Sequence, residues 1–238
     1  FGTGSGSPDG QTWEWDGTRW MLRGTSGAPS SRSKHGMVYD SARGVTVLFG
    51  GFESSLKRDT WEWNGTTWTL RSTSGPSARY QQAMAYDIAR GVTVLFGGSG
   101  DSNTLKGDTW EWNGTTWTLR STSGPSPRIN HAMAYDSVRG VTVLFGGSDR
   151  FDELGETWEW DGTEWTPRSE SGPSPRSGHA MVYDSARGVT VLFGGYDGSP
   201  RSGDTWEWDG TTWTLRDESG PSPRNDHAMA YDSARGVT

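Results

Sequence analysis

The sequence predicts an all-β fold, a five-bladed β-propeller of four-stranded antiparallel blades whose ring is closed by a blade shared between the N- and C-termini. Two observations carry this. The string GVTVLFGG starts at Gly44, Gly91, Gly140 and Gly188, and a fifth copy is split, with GVT at Gly236 to Thr238 and FG at Phe1. Successive copies lie 47, 49, 48 and 48 residues apart, a period that marks an array of supersecondary units. Each unit is too small to bury a core alone, so neighbours must supply it. In addition, all 15 tryptophans occupy the same three places in five repeats, from Trp13, Trp15 and Trp20 to Trp206, Trp208 and Trp213. Apolar residues are only 31% of the chain, so these indoles, each burying roughly 150–250 Å², must form much of the core.

Within one repeat, HAMVYD alternates as strand a and ends at the turn SARG. GVTVLFGG is β-branched and aromatic and forms strand b; TWEW alternates as strand c; TTWTLR forms strand d. Between c and d stands Asp-Gly or Asn-Gly, at Asp16, Asn64, Asn113, Asp161 and Asp209, the sequence signal of a two-residue type I′ hairpin. That turn sets Trp61 opposite Trp68 and Glu62 opposite Thr67, with Trp63 on the face of Trp61; in the first repeat it pairs Glu14 with Arg19. Asn64-Gly65-Thr66 and Asn113-Gly114-Thr115 are formally glycosylation sequons, but Asp in the other three repeats makes the turn their explanation.

Pro/Gly/Ser clusters such as STSGPSPR link each strand d to the next strand a, and no stretch has helical periodicity. The chain reads as one domain, residues 1–238. Blades are expected at about 31–77, 78–126, 127–174 and 175–224, with the shared blade from 1–30 plus 225–238. A break inside one strand reads as an engineered product or as a slice of a longer array.

The net charge of −7, with both signs interspersed, offers no basic stripe for nucleic acid or a membrane surface. The absence of cysteine excludes disulfides, thiolate metal sites and cysteine nucleophiles. A monomer is expected; an extracellular or cell-surface bacterial setting is slightly favoured.

PRSGHAMVYDSARGVTVLFGGYDG followed by DTWEWDGTTWTLR resembles the kelch motif: Pro-Arg before strand a, a double glycine closing strand b, and spaced aromatics in c and d. The resemblance spans the whole chain and implies binding more often than catalysis; five blades is fewer than most members have. The kelch-type enzyme galactose oxidase uses copper with a cysteine-modified tyrosine, which this chain lacks. No cofactor is implied.

His35, His131, His179 and His227 share one strand-a position, with Gln82 in the remaining copy, and a ring of separated strands suits structural hydrogen bonding better than a metal, so no metal site is expected. Arg32, Arg79, Arg128, Arg176 and Arg224 form a second ring, read as structural pairing with loop carbonyls or an Asp, or as an anion site near the channel mouth. The acidic segments Asp149 to Glu153 and Asp101 to Asn103 lack a calcium-loop pattern. Near-identical blades repeat every candidate side chain, which leaves no asymmetric catalytic constellation.

The a–b and c–d turns, on one face, are nearly invariant, whereas the b–c and d–a loops on the other carry the variation. By the resemblance, residues after the ring arginine face a ligand. The candidates are Lys34, Tyr80, Gln81, Ile129, Asn130, Asn225 and Asp226, with Tyr196 from a b–c loop. The expected function is a non-enzymatic interaction scaffold, natural or engineered, for a protein, peptide or glycan. The alternatives are a multivalent lectin-like binder and a non-catalytic module of a larger secreted bacterial protein.

Overall fold

A computed structural model describes residues 10–24, 27–169, 171–198 and 201–238. The fold is all-β, with five antiparallel sheets of two, four, four, four and four strands. β1 (Trp13–Trp15) and β2 (Trp20–Leu22) form the first. The four complete blades are β3 (Gly36–Asp40), β4 (Val45–Phe49), β5 (Thr60–Trp63) and β6 (Trp68–Ser72); β7 (Ala83–Asp87), β8 (Val92–Phe96), β9 (Thr109–Trp112) and β10 (Trp117–Ser121); β11 (Ala132–Asp136), β12 (Val141–Phe145), β13 (Thr157–Trp160) and β14 (Trp165–Ser169); and β15 (Ala180–Asp184), β16 (Val189–Phe193), β17 (Thr205–Trp208) and β18 (Trp213–Asp217). No helix among the described residues is long and apolar enough to cross a membrane.

Strands a are innermost: β3 packs beside β7, β7 beside β11, and β11 beside β15. The core lies between blades. Val47 and Phe49 of one blade, for example, meet Met84, Leu95 and Trp112 of the next. The entries to all five strand-a copies line one axial pocket, which arranges five blade positions around an axis.

The fifth position is divided between the chain ends. β1 and β2 supply its outer half and pack on the β3–β6 blade, where Trp63 Nε1 donates to Glu14 at 2.7 Å and Trp68 Nε1 to Thr12 Oγ1 at 2.7 Å. The C-terminal segment supplies the inner half and packs on the β15–β18 blade: Gly195 N donates to Arg224 O at 2.9 Å, and the ring of His227 meets that of Phe193 at 5.4 Å. Its turn is closed by an Asp232–Val237 bridge. Among the described residues no backbone pairing joins the two halves. Phe1 and Gly2, the remainder of the split strand, lie outside the described residues.

The c–d register differs from the expected one. Trp63 pairs with Trp68, Glu62 with Thr69, and Trp61 with Leu70. The connection is a four-residue loop, because Asn64 Oδ1 accepts hydrogen bonds from Thr66 N and Thr67 N, both at 2.9 Å, and gathers the chain into an Asx turn. Gly65 alone of Asn64 and Gly65 has positive φ, at 88°, whereas a type I′ turn requires it at both central residues. The indole pair of the blade is therefore Trp63–Trp68, with centroids 5.6 Å apart. In the first repeat Glu14 lies opposite Met21 and bonds Arg23 at 2.7 Å, not Arg19.

Candidate functional site

The residues entering strand a adopt an unusual backbone. Lys34, Gln81, Asn130, Gly178 and Asp226 all have positive φ, between 55° and 65°. Only one of them is glycine, so four residues with side chains hold a left-handed conformation that carries strain. What holds them is a chain of backbone bonds from blade to blade: Gln81 N donates to Lys34 O, Asn130 N to Gln81 O, Gly178 N to Asn130 O, and Asp226 N to Gly178 O, at 2.8–3.2 Å. These five residues, with His35, Gln82, His131, His179 and His227 behind them, line an axial pocket of about 450 Å³ on the variable-loop face. Lys34, Gln81, Asn130 and Asp226, all sequence candidates, thus meet at one place.

The imidazoles of that pocket are held neutral. Burial, reinforced by the nearby arginines, pushes His131 and His179 down to about 3 and His35 to about 4. His131 and His179 set their rings edge-on against Phe96 and Phe145, centroids 5.5 Å apart. Gln82 fills the same position by donating Nε2 to Phe49 O at 2.8 Å. Among the described residues no group of three or more His, Asp or Glu side chains is placed to hold a metal ion.

A second concavity, of about 630 Å³, opens beside the first and shares Ser33 and Lys34 with it. It lies between the β3–β6 and β7–β10 blades. Its walls are Phe52, whose ring centroid is 6.1 Å from that of Tyr80, and Leu56. Lys34 Nζ stands 5.6 Å above the Tyr80 ring, within cation–π range. The rim is the 3-10 turn Asp101–Asn103, where Ser102 and Asn103 have φ of 51° and 61°, and Asn103 Oδ1 accepts the Tyr80 hydroxyl at 3.2 Å. Lys34 and Tyr80 therefore converge here, and Phe52, Leu56 and Asp101–Asn103 join them although sequence reasoning marked them only as parts of variable loops.

The signal for Phe52 lies in a pairing that no single repeat displays. The residue after each double glycine bridges the residue after each ring arginine: Phe52 with Ser33, Ser99 with Tyr80, Ser148 with Ile129, and Tyr196 with Ser177. Each pair holds one serine and one large side chain. In the first two pairs the large residues come from adjacent blades on facing sides, and they make a cleft. Ile129, half-buried, and Tyr196, whose hydroxyl donates to Gly198 O at 2.9 Å, line neither pocket. Asn225 is also outside both and donates to Asp226 at 2.8 Å.

Four of the five ring arginines are buried within their own blades. Arg32 is fully buried inside its own blade, where it donates to Ser30 O and Gly50 O, both at 3.0 Å, and to both oxygens of Asp59 at 2.7 and 2.9 Å. Arg79 clamps Asp108 and Arg176 clamps Asp204 in the same bidentate way. Burial pushes the Asp59 carboxyl up, but bonds from Arg32 and Trp61 outweigh it and hold the group below the usual carboxylate range. Arg128 reaches Glu156 through one oxygen at 3.2 Å. With their donors committed to carboxylates and loop carbonyls, these four side chains fasten the b–c loop to the blade and do not form an anion site at the channel mouth. Among the described residues Arg224 bonds the carbonyl and hydroxyl of Ser222, and Gln11 stands where the other repeats have the acid.

A family model described as the KLHDC2/KLHL20/DRC7 Kelch-repeats domain matches residues 112–236, just over half of the 238-residue chain. A search of curated proteins gave no match. The matched stretch runs from the end of β9 through the two following blades into the C-terminal half-blade, and the same order of four strands recurs in the blades before it. On the family match and the repeated four-stranded sheets together, the chain belongs to the Kelch-repeat family.

Proposed function

We propose that the chain is a non-enzymatic scaffold that binds a protein or peptide on the face bearing the b–c and d–a loops, centred on Phe52, Tyr80 and Lys34. Membership of the Kelch-repeat family supports a protein-binding scaffold in general. The cleft between the first two complete blades supports the particular place: it is of ligand-pocket size, apolar on its walls, and polar at its rim. It is also asymmetric, in a molecule whose other face is nearly the same in every blade.

The test is a peptide-library selection on the intact chain, followed by titration of the selected peptide. Lys34→Ala, Phe52→Ala and Tyr80→Ala are expected to weaken binding at least about tenfold, near 1.4 kcal/mol. Thr115→Ala, on the invariant face, should leave it unchanged. Equal loss with Thr115→Ala, or none with the three pocket variants, would place the ligand elsewhere. The lectin-like reading is separated by a glycan array and a stoichiometry near five per chain. Against it, Trp63, Trp68, Trp112, Trp160, Trp165 and Trp208 are buried between blades and unavailable as sugar platforms.

A further inference from the structure

The c–d turns are the repeated motif to which binding assigns no role. Asn64-Gly65 and Asn113-Gly114 stand where the other repeats have Asp16-Gly17, Asp161-Gly162 and Asp209-Gly210. Asn64 Oδ1 accepts the backbone N–H groups of Thr66 and Thr67 at 2.9 Å each, and Asn113 Oδ1 those of Thr115 and Thr116 at 2.9 and 2.8 Å. Both asparagines are exposed to water.

We propose that Asn64 and Asn113 are self-modifying sites, each converted to aspartate within the folded turn with its two N–H donors assisting. The backbone nitrogen of the glycine adds to Cγ of the asparagine. The side-chain nitrogen leaves as ammonia, taking the glycine proton, and a five-membered succinimide remains. Water then adds to one ring carbonyl and opens the ring. One water is consumed, one ammonia is released, and no oxidant or reductant takes part.

The structure bears on both steps. As the glycine nitrogen adds, negative charge develops on Oδ1, which already faces two fixed donors at the separation that stabilises an oxyanion. In the succinimide the same donors polarise the Cγ carbonyl. Water therefore attacks there and breaks the Cγ–N bond, which restores the normal backbone as aspartate. Attack at the other carbonyl would give isoaspartate, with an extra carbon in a turn whose register pairs Trp63 with Trp68.

The product already stands in three equivalent turns. Asp16 Oδ1 accepts Thr18 N at 2.8 Å and Arg19 N at 2.9 Å; Asp161 and Asp209 repeat the pattern. The Thr18 hydroxyl and those two amides hold the Asp16 carboxyl down at about 2, so the turn stabilises the charge that deamidation creates. The two asparagine turns differ in freedom. The space beside the Gly65 Cα is open among the described residues, whereas the Arg43 guanidinium covers Gly114 and Arg71 donates to the Gly114 carbonyl at 3.2 Å.

The experiment incubates the whole folded chain at mildly alkaline pH, beside the same chain unfolded in concentrated urea, and follows each asparagine by peptide mass mapping that separates aspartate from isoaspartate. In the folded chain Asn64 and Asn113 should convert several-fold faster than Asn103, Asn130 and Asn225, with Asn64 ahead of Asn113 and aspartate as the main product. In urea isoaspartate should dominate. Gly65→Ala should slow Asn64 several-fold and leave Asn113 unchanged. Conversion no faster than at the three other asparagines, or isoaspartate dominant in the folded chain, would overturn the proposal.

Discussion

Three interfaces, those between the four whole blades, are complete, and the seam between the β15–β18 blade and β1–β2 is not. In the complete ones two indoles of each blade reach back to its predecessor. Trp112 donates to Glu62 at 3.0 Å and Trp117 to Thr60 at 2.8 Å; Trp160 and Trp165 bond Glu111 and Thr109, and Trp208 and Trp213 bond Glu159 and Thr157. At the seam the equivalent donors are Trp15 and Trp20, whose rings are also 5.6 Å apart, but they are 53% and 63% exposed where Trp112 is 1%. Tyr39 of β3 is 58% exposed, whereas Tyr86, Tyr135 and Tyr183, which face the preceding blade, are 8–9% exposed, so the flank that β3 turns to the C-terminal half-blade is open as well. The hairpin alone makes the indole pair, since the pair forms with or without a neighbour. Burial and the indole hydrogen bonds come from the adjacent flank.

The comparison can be broken most directly at its apolar centre. Trp112→Ala should destabilise the fold by about 3–5 kcal/mol, the cost of emptying a buried aromatic site. Trp20→Ala, at a ring left 63% exposed, should cost under about 1 kcal/mol. Denaturant titration of both variants measures the difference, and equal losses would mean that the seam is as well packed as the other interfaces.

Acid should discriminate next. His131 and His179 are neutral in the folded chain, with pKa near 3, against an unfolded value near 6.5. Between these values the unfolded state binds more protons, so stability is full above about pH 6.5 and falls as the pH drops toward 3. The slope is at most about 1.4 kcal/mol per pH unit for each imidazole. His131→Gln, which imports the residue natural at Gln82, should flatten that slope. His227→Gln should change it less, because His227, at the seam, is half-buried and Asp226 partly offsets its depression. Urea midpoints across the window decide this.

A smaller effect is expected at the acceptors. Glu62 takes Arg43, Arg71 and Trp112 together at 2.6, 3.2 and 3.0 Å, and Glu62→Gln should cost about 1–3 kcal/mol. Glu207 at the seam bonds Arg187 and Arg216 but receives no indole, so Glu207→Gln should cost about 1 kcal/mol or less. A Glu207 variant as damaging as the Glu62 variant would show that the arginine bonds, not the cross-blade indole, carry the energy.

Much of the fold was legible because it is written in short range. The strand assignments needed only alternation, β-branching and the double glycine of GVTVLFGG. The c–d register was misread because Asn-Gly signals a two-residue turn, whereas the Asn64 side chain organises a four-residue one through Thr66 and Thr67. Of the candidate site, Lys34, Gln81, Asn130 and Asp226 were found by their place after the ring arginine and do meet around one pocket. Phe52 was missed because its partner Tyr80 belongs to another blade. The ring arginines were marked as repeated, but which carboxylate each clamps follows from the path of a b–c loop that differs in every repeat.

By itself the sequence determined the all-β class, the count of repeats, the kinship and the division into an invariant face and a variable one, since each follows from periodicity and local turn chemistry. Only the tertiary structure decided which indoles are buried, where the arginines point, and that Phe52, Tyr80 and Lys34 share a cleft. The indoles and the cleft depend on the flank that one blade presents to the next, a relation that no single repeat contains, and the arginine clamps on b–c loops whose paths no local pattern specifies.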